Sequence, residues 1–220
     1  MKNEILASIK ENKIIVIIRK VKKEHLIPLA DALYDGGIRL MEITYCGDGT
    51  FSDEETAENI AMLSAHMKGK MHVGAGTVLT EKQVEMTQAA GGGFIISPDT
   101  NPDIIKKTRE MGMVSIPGAL TPTEIVAAYR AGADFVKLFP AGAFDASYIK
   151  DVRAPLSHIP MLAVGGVDEN NLAEYFALGV SGIGVGSAIV KKELIESGRF
   201  SEITALAKLY VERIRACQTI

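Results

Sequence analysis

The stretch MHVGAGTVLTEKQVEMTQAAGGGFIIS, residues 71–97, has the pattern of one complete strand–helix–strand unit. Its two ends, residues 71–76 and 93–97, are short and almost continuously apolar, which is typical of parallel strands covered on both faces. Between them, Thr80 and Gln83 have the spacing of a helix-capping pair, and the glycine run after the helix supplies a left-handed terminal residue. This stretch therefore predicts a βα unit followed by the next strand.

Eight segments of the chain have the composition of such a strand. They lie at residues 14–19, 38–44, 71–76, 93–97, 113–116, 134–139, 161–165 and 182–186. Helix-start signals recur between them, for example at Ser52, Thr121 and Asp168, and glycines recur where the helices should end. Eight βα units predict an α/β fold, a single-domain (β/α)₈ TIM barrel over residues 1–220 with an extra N-terminal helix at its bottom. A doubly wound open sheet is the alternative, but the first strand is not followed by its GxGxxG turn.

The composition excludes several classes of protein. A net charge of −3 at pH 7 argues against a nucleic-acid binder. Cys46 and Cys217 are too far apart for a CxxC motif, which fits a reducing cytoplasm better than a disulfide or zinc framework. The N-terminus lacks the apolar core of a signal peptide, and no apolar run is long enough for a membrane span, so a soluble protein is expected. The four histidines are scattered without ligand spacing, and no metal is expected.

Four polar residues fall where predicted strands end, which is where barrel enzymes place their active sites: Arg19, Glu42, Thr77 and Lys137. Arg19 has an alternative interpretation as the start of a charged loop. Glu42 and Lys137 have apolar neighbours on both sides within their strands, and each would be costly to bury unpaired. They are therefore either a structural ion pair or groups retained for catalysis.

The alternation of side chains along a strand makes Lys137 the more informative of the two. Phe135 and Phe139 fall on the same face as Lys137, so they should remove its amine from water. Desolvation lowers the pKa of a lysine, and a nearby cation such as Arg19 would lower it further. A neutral amine can form a Schiff base with a ketone, and Glu42 could then act as acid and base.

Glycine-rich segments follow the last two predicted strands, at residues 163–167 and 184–190. Barrels often bind phosphate there through backbone N–H groups and a short helix, which Ser187 is expected to cap. The alternative is that these glycines only form tight turns. Thr77 has a hydroxyl and an N–H that could bind a carboxylate, and Pro98 marks a turn after the fourth strand.

The motifs MEITY, VGAGTVLT, FIISPDT, SIPGALTPTEI, GADFVKLFPA, LAVGGV and GVGSAIV, in this order, closely resemble one family. It is the family of 2-keto-3-deoxy-6-phosphogluconate (KDPG) and 4-hydroxy-2-oxoglutarate (KHG) aldolases, and the resemblance runs from about residue 14 to about residue 215. It implies a class I aldolase on a (β/α)₈ barrel, usually trimeric, without metal or cofactor. The expected partners are a small 2-oxo acid, a phosphorylated aldehyde and two further copies of the chain.

The resemblance also implies a role for each matching residue. Lys137 corresponds to the Schiff-base lysine, Glu42 to the proton-transferring glutamate and Thr77 to the residue that holds the pyruvyl carboxylate. The remaining matches are Pro98 and Phe139, which line the pocket, and Gly165, Gly166 and Ser187, which bind phosphate.

The chain departs from the family pattern at one position. Cys46 in EITYC stands where members with EVTLRT carry an arginine for the substrate carboxylate. Arg19 matches an arginine in many other members and is the candidate to supply that charge. The exact 2-oxo acid therefore stays open, with the 6-phosphogalactonate isomer as one alternative. A barrel isomerase or synthase, and a sugar-phosphate-binding barrel without imine chemistry, are the others.

Overall fold

The computed structural model describes residues 1–217, and the strands found there form one parallel sheet. They are β1 Ile14–Ile18, β2 Leu40–Thr44, β3 His72–Gly76, β4 Phe94–Ile96, β5 Val114–Ile116, β6 Gly118–Ala119, β7 Val136–Leu138, β8 Met161–Val164 and β9 Gly182–Val185. The helices are α1 Lys2–Asn12, α2 Lys23–Asp35, α3 Asp53–His66, α4 Glu81–Ala89, α5 Pro102–Glu110, α6 Pro122–Ala131, α7 Ala146–Arg153, α8 Leu172–Ala177, α9 Lys192–Glu196 and α10 Phe200–Cys217. None of these helices is both long and apolar enough to cross a membrane.

The sheet closes into a barrel at Pro117. The strand order is β5-β4-β3-β2-β1-β9-β8-β7-β6, and the outermost strands β5 and β6 are consecutive in the chain. Pro117 has no N–H to donate, so the ladder is interrupted there. The predicted strand at residues 113–116 corresponds to β5, and the short strand β6 after Pro117 was not predicted. The Lys137 N–H donates to the Pro117 carbonyl at 2.8 Å, which joins β7 to this segment. The predicted (β/α)₈ barrel is confirmed, and the open sheet is excluded.

Alternate residues of β1, β2, β4, β5 and β8 fill the barrel interior, together with Phe135 just before β7. The interior cluster comprises Ile15, Leu40, Phe94, Ile96, Val114, Ile116, Phe135, Leu162 and Val164, together with Ile5 and Ile9 of α1. Since Ile5 and Ile9 are buried against the strands, α1 closes the bottom of the barrel as the sequence predicts. Gly74 leaves room for a neighbour here, because a Cβ on it would lie 2.4 Å from the Phe94 ring.

Most of the predicted helix ends are confirmed. Complete capping boxes join Ser52 to Glu55, Thr80 to Gln83 and Thr121 to Glu124. The glycines that follow the helices take positive φ angles, for example 101° at Gly132 after α6. These local signals come from neighbouring residues, which is why the sequence alone reveals them.

Two predicted caps, at Asp168 and Ser187, are wrong. The Asp168 carboxylate accepts hydrogen bonds from the N–H groups of Asn170 and Asn171, and α8 begins only at Leu172. This is an Asx turn, a local structure that competes with a helix cap. Ser187 begins a single turn in which the Ile189 and Val190 N–H groups donate to the Gly186 carbonyl, and α9 begins later.

Candidate active site

A cavity of about 850 Å³ opens at the carboxyl ends of β1, β7, β8 and β9. Barrel enzymes bind their substrates at this end. Six of the nine residues that the sequence predicts for the site line this cavity: Arg19, Lys137, Phe139, Gly165, Gly166 and Ser187. The other three, Glu42, Thr77 and Pro98, lie on the β2–β4 side of the barrel and do not line it.

Lys137 projects from β7 into the barrel and is only 5% exposed. Its Nζ lies 4.6 Å from the centroid of the Phe139 ring, and Phe135 is buried on the same strand face. Burial is the main cause that lowers the pKa of Lys137 below its ordinary value of 10.5; Arg19 lowers it further, and Glu42 opposes the shift. The enclosed and less basic amine expected from the sequence is therefore present.

Glu42 enters the barrel from β2, which lies four strands from β7 through β1, β9 and β8. The count is also four in the other direction if β5 and β6 are taken as one strand, so the two side chains come from opposite walls. It is 1% exposed, and burial raises its pKa, against the lowering effects of Lys137 and Arg19. No salt bridge within 4 Å joins it to Lys137, which argues against a simple structural ion pair. Desolvation instead favours the neutral form of both groups.

Gly76 at the end of β3 makes the position of Glu42 possible. A Cβ on Gly76 would lie 2.0 Å from Oε1 of Glu42, which is closer than any two such atoms can approach. The second glycine of the GAGT motif is therefore required for space, since only a residue without a side chain leaves the carboxylate in place.

Thr77 and Pro98 border the mouth of the barrel next to Glu42, after β3 and β4. Thr77 has a φ of 57°, a conformation that is strained for a β-branched residue and that tends to occur at functional sites. Its hydroxyl makes no hydrogen bond to the part of the chain that the structure describes, and Thr80 is the cap of α4. Gly118 allows Pro98 to pack closely, because a Cβ there would lie 2.3 Å from the Pro98 carbonyl oxygen.

The glycine loop after β8 forms the wall of the cavity. Gly165 and Gly166 have φ angles of 87° and 78°, which other residues rarely adopt. Gly142 packs directly on this loop, and its N–H donates to the Gly165 carbonyl at 2.7 Å. Cations outnumber anions around the rim of the cavity. The cations are Arg19, Lys20, Lys191 and Lys192, and the anions are Asp168 and Glu193. Exposed glycine backbone beside several cations suits an anionic ligand.

Cys46 lies half-buried just after β2, with its Sγ 3.9 Å from the Thr44 carbonyl oxygen. Burial raises the pKa of this thiol, so it is neutral at physiological pH and cannot replace a cation. Arg19 is exposed at the end of β1, forms no salt bridge with residues 1–217, and acts electrostatically on both Glu42 and Lys137. Its neighbour Lys20 is instead paired with Asp48.

The model of the KDPG and KHG aldolase family matches residues 5–206. The chain belongs to this family. A probable 2-dehydro-3-deoxy-6-phosphogalactonate aldolase from Rhizobium meliloti is 38% identical, over 82% of this chain and 83% of that protein. The 2-dehydro-3-deoxy-phosphogluconate aldolase from Treponema pallidum is 35% identical, over 93% of this chain and 94% of that protein.

A solved structure within the KDPG aldolases extends the comparison to three dimensions. KDPG aldolase from Legionella pneumophila, with pyruvate captured as a covalent carbinolamine intermediate, has a TM-score of 0.83 and 28% identity. The similarity covers 92% of this chain and 96% of that one. This member of the KDPG and KHG aldolase family therefore has the same barrel fold as its relatives.

In this aldolase the structure adds residues that sequence reasoning missed. Lys191 and Lys192, at the start of α9, reach the cavity, but a pair of lysines in the sequence gives no signal that separates it from ordinary surface charge. Thr44 lies two residues beyond Glu42 on the same face of β2 and is 3% exposed, and its hydroxyl has no hydrogen-bond partner within the described part of the chain. Alternation along the strand could have identified Thr44, since it shares the face of Glu42.

The described residues contain no group of three or more His, Cys, Asp and Glu side chains placed to hold a metal ion.

Proposed function

We propose that this protein is a class I aldolase that reversibly cleaves a 4-hydroxy-2-oxo acid to pyruvate and an aldehyde. The substrates are KDPG, which gives glyceraldehyde 3-phosphate, and 4-hydroxy-2-oxoglutarate, which gives glyoxylate. The observation that carries the proposal is a lysine buried in the barrel beside an 850 Å³ cavity, with its pKa lowered by that burial. The captured carbinolamine of the Legionella relative supports the same chemistry.

Lys137 forms the covalent intermediate. Its neutral amine attacks the C2 carbonyl carbon, and the resulting carbinolamine takes up a proton on its hydroxyl and loses water to give an iminium ion. The iminium accepts the electron pair of the C3–C4 bond as that bond breaks, which leaves an enamine on the enzyme. Protonation of C3 and hydrolysis then release pyruvate and regenerate the amine.

Glu42 moves the protons of this sequence. Its carboxylate takes the proton of the C4 hydroxyl through a water molecule as the C3–C4 bond breaks. The protonated acid then returns a proton to C3 of the enamine through the same water molecule. Burial raises the pKa of Glu42, which makes it a stronger base than an exposed glutamate.

The remaining residues hold the substrate on either side of the amine. Thr77 binds the pyruvyl carboxylate with its unpartnered hydroxyl, while Pro98 and Phe139 line the pocket. The backbone N–H groups of Gly165 and Gly166 and the hydroxyl of Ser187 bind the phosphate. Arg19 adds positive charge at the mouth, where the family arginine is replaced by Cys46.

Trapping with borohydride tests the covalent step. The protein is incubated with pyruvate, reduced, digested and mapped by mass spectrometry. We expect the mass of a reduced pyruvyl adduct on the peptide that contains Lys137, and no adduct when pyruvate is left out. An unmodified Lys137 peptide would reject the class I mechanism in favour of a barrel that binds sugar phosphates without an imine.

A second substrate is supported by the Rhizobium relative, which is named for the 6-phosphogalactonate isomer. The two sugar acids differ only in the configuration at C4, so Lys137 and Glu42 would perform the same steps on either. Ratios of kcat/KM for the two phosphorylated acids and for 4-hydroxy-2-oxoglutarate decide among them.

We further propose that residues 1–220 form a single domain that assembles as a cytoplasmic homotrimer. One sheet that runs from Ile14 to Val185 supports the single domain, and family resemblance supports the trimer. Light scattering of the purified protein measures the oligomeric state.

A further inference from the structure

Two buried oxygens inside the barrel lack hydrogen-bond partners among residues 1–217. Oε2 of Glu42 and Oγ1 of Thr44 are both inaccessible to solvent, and neither makes a hydrogen bond. The two residues lie on one face of β2, and the register of the sheet pairs Thr44 with Gly76. The Thr44 methyl carbon and Glu42 Oε1 lie 3.2 Å and 2.0 Å from the point where a Cβ on Gly76 would stand. The two side chains are therefore immediate neighbours.

A buried hydroxyl without a partner is costly, and a valine of the same shape would avoid the cost at this position. An unsatisfied buried polar group destabilises a protein by roughly 1–3 kcal/mol. The sheet gives no reason for a hydroxyl, because the backbone next to Thr44 is already bonded: the Tyr45 N–H donates to the Gly76 carbonyl at 2.9 Å. Unexplained groups of this kind commonly meet a ligand or a bound water.

We propose that Thr44 is a positioning residue for proton transfer, and that its hydroxyl and the Glu42 carboxylate together bind the water molecule that relays the proton. The inference rests on the proposed aldolase function and adds a residue to it. In the cleavage direction, the C4 hydroxyl gives its proton to this water as the C3–C4 bond breaks, and the water gives a proton to Glu42. Thr44 neither gains nor loses a proton, and its hydroxyl fixes the position of the water oxygen.

The order of the side chains along the barrel suits a proton relay. The Glu42 carboxylate fills the space that Gly76 leaves, and Thr44, at the end of β2, stands between that carboxylate and the open end of the barrel. A hydroxyl can donate and accept at once, so it can hold the relay both before and after Glu42 is protonated. This need for both roles separates threonine from an apolar residue of equal size.

The test compares Thr44→Val, which removes only the hydroxyl, with Thr44→Ser, which keeps it. Steady-state cleavage of KDPG is measured together with exchange of the pyruvate methyl protons into deuterated water, followed by NMR. Exchange requires Lys137 and the proton relay but no aldehyde. We expect Thr44→Val to lower kcat and the exchange rate by at least about tenfold with little change in KM, and Thr44→Ser to retain most of both rates.

A matched control separates this effect from the loss of any buried hydroxyl. Thr108 is also fully buried, but its hydroxyl donates to the Ile104 carbonyl within α5, far from the cavity. We expect Thr108→Val to keep the wild-type exchange rate. Thermal unfolding checks that Thr44→Val is folded; if it is not, Thr44→Ala provides the same comparison with serine.

Borohydride trapping distinguishes failure of this inference from failure of the proposed function. Thr44→Val should still form the pyruvate adduct on Lys137, since imine formation does not need the relay. An adduct in both proteins with equal exchange rates would overturn the role of Thr44 alone. The role of Thr44 would also be overturned if Thr44→Ser were as impaired as Thr44→Val, or if Thr44→Val changed only KM. No adduct in the wild type would overturn the aldolase proposal and this inference with it.

Discussion

The two halves of the barrel mouth use glycine for different purposes. On the β8–β9 side, Gly165 and Gly166 adopt positive φ angles that shape the wall of the open cavity, and cations surround that cavity. On the β2–β3 side, Gly74 and Gly76 create space that is already filled, by the Phe94 ring and by the Glu42 carboxylate. The first half is built to receive an anion from solution, and the second to enclose the proton-transferring group away from it.

This difference explains how one lysine serves both halves. Lys137 lies on β7 with the open cavity beside it and Glu42 entering from the opposite wall. Desolvation by the closed half, on the β2–β3 side, keeps the amine neutral and reactive. The open half, on the β8–β9 side, brings the substrate to it. Substitutions on the closed half should therefore affect chemistry, and substitutions on the open half should affect binding and pH dependence.

The largest effect is expected from Lys137→Met. Turnover should fall by about 10⁴-fold or more, as expected for loss of a covalent nucleophile, and the pyruvate adduct should disappear. The unfolding midpoint should rise, because the folded-state pKa of Lys137 is lowered and burial of its charged form opposes folding.

The pH dependence gives the stability prediction a clear sign. The penalty from Lys137 is largest below its folded-state pKa and is gone above 10.5, where both states are neutral. The stabilisation by methionine should therefore shrink as the pH rises, which thermal melts at a series of pH values would reveal. Lys150→Met, an exposed change on α7, is the control. A lower midpoint for Lys137→Met would mean that the lysine stabilises the barrel as an ion pair.

Gly76→Ala tests the closed half without changing any polar group. The added Cβ would lie 2.0 Å from the Glu42 carboxylate, so the glutamate must move. We expect kcat to fall by about 10²–10⁴-fold, the range for loss of general acid–base catalysis, while the Lys137 adduct still forms. Gly47→Ala is the matched control, since no atom lies within 4 Å of its added Cβ and its φ is ordinary. Normal turnover in Gly76→Ala would show that the position of Glu42 is not critical.

The sequence predicts the barrel because its signals are local. Apolar strands, capping boxes and terminal glycines each depend on residues within a few positions of one another. Lys137 and Glu42 were identifiable for a similar reason, since a charge inside an apolar strand is unusual wherever the strand packs.

The features that the sequence did not predict depend on contacts between distant segments. The loop that begins at Asp168 is held by hydrogen bonds from Asn171 to Gly166 and from Tyr210 to Glu169. The local sequence alone therefore does not determine where α8 begins. The fit of Glu42 against Gly76 depends on the register of two strands separated by an entire helix. A single sequence shows neither the register nor the space that a missing side chain leaves.

The smallest effect, on the open half, is expected from Arg19→Met. Arg19 lowers the pKa of both Lys137 and Glu42, so its removal should raise both. The reaction needs a neutral amine and an ionised carboxylate, and the acid limb of kcat/KM should therefore move to higher pH. For an exposed cation in water the shift is about a few tenths of a pH unit, and it should decrease at high salt.

Lys20→Met is the control because it removes the same charge. Lys20 is paired with Asp48, so the acid limb of kcat/KM in this variant should stay in place. An unmoved acid limb in Arg19→Met would assign Arg19 to substrate binding alone, with burial as the only significant cause of the reactivity of Lys137.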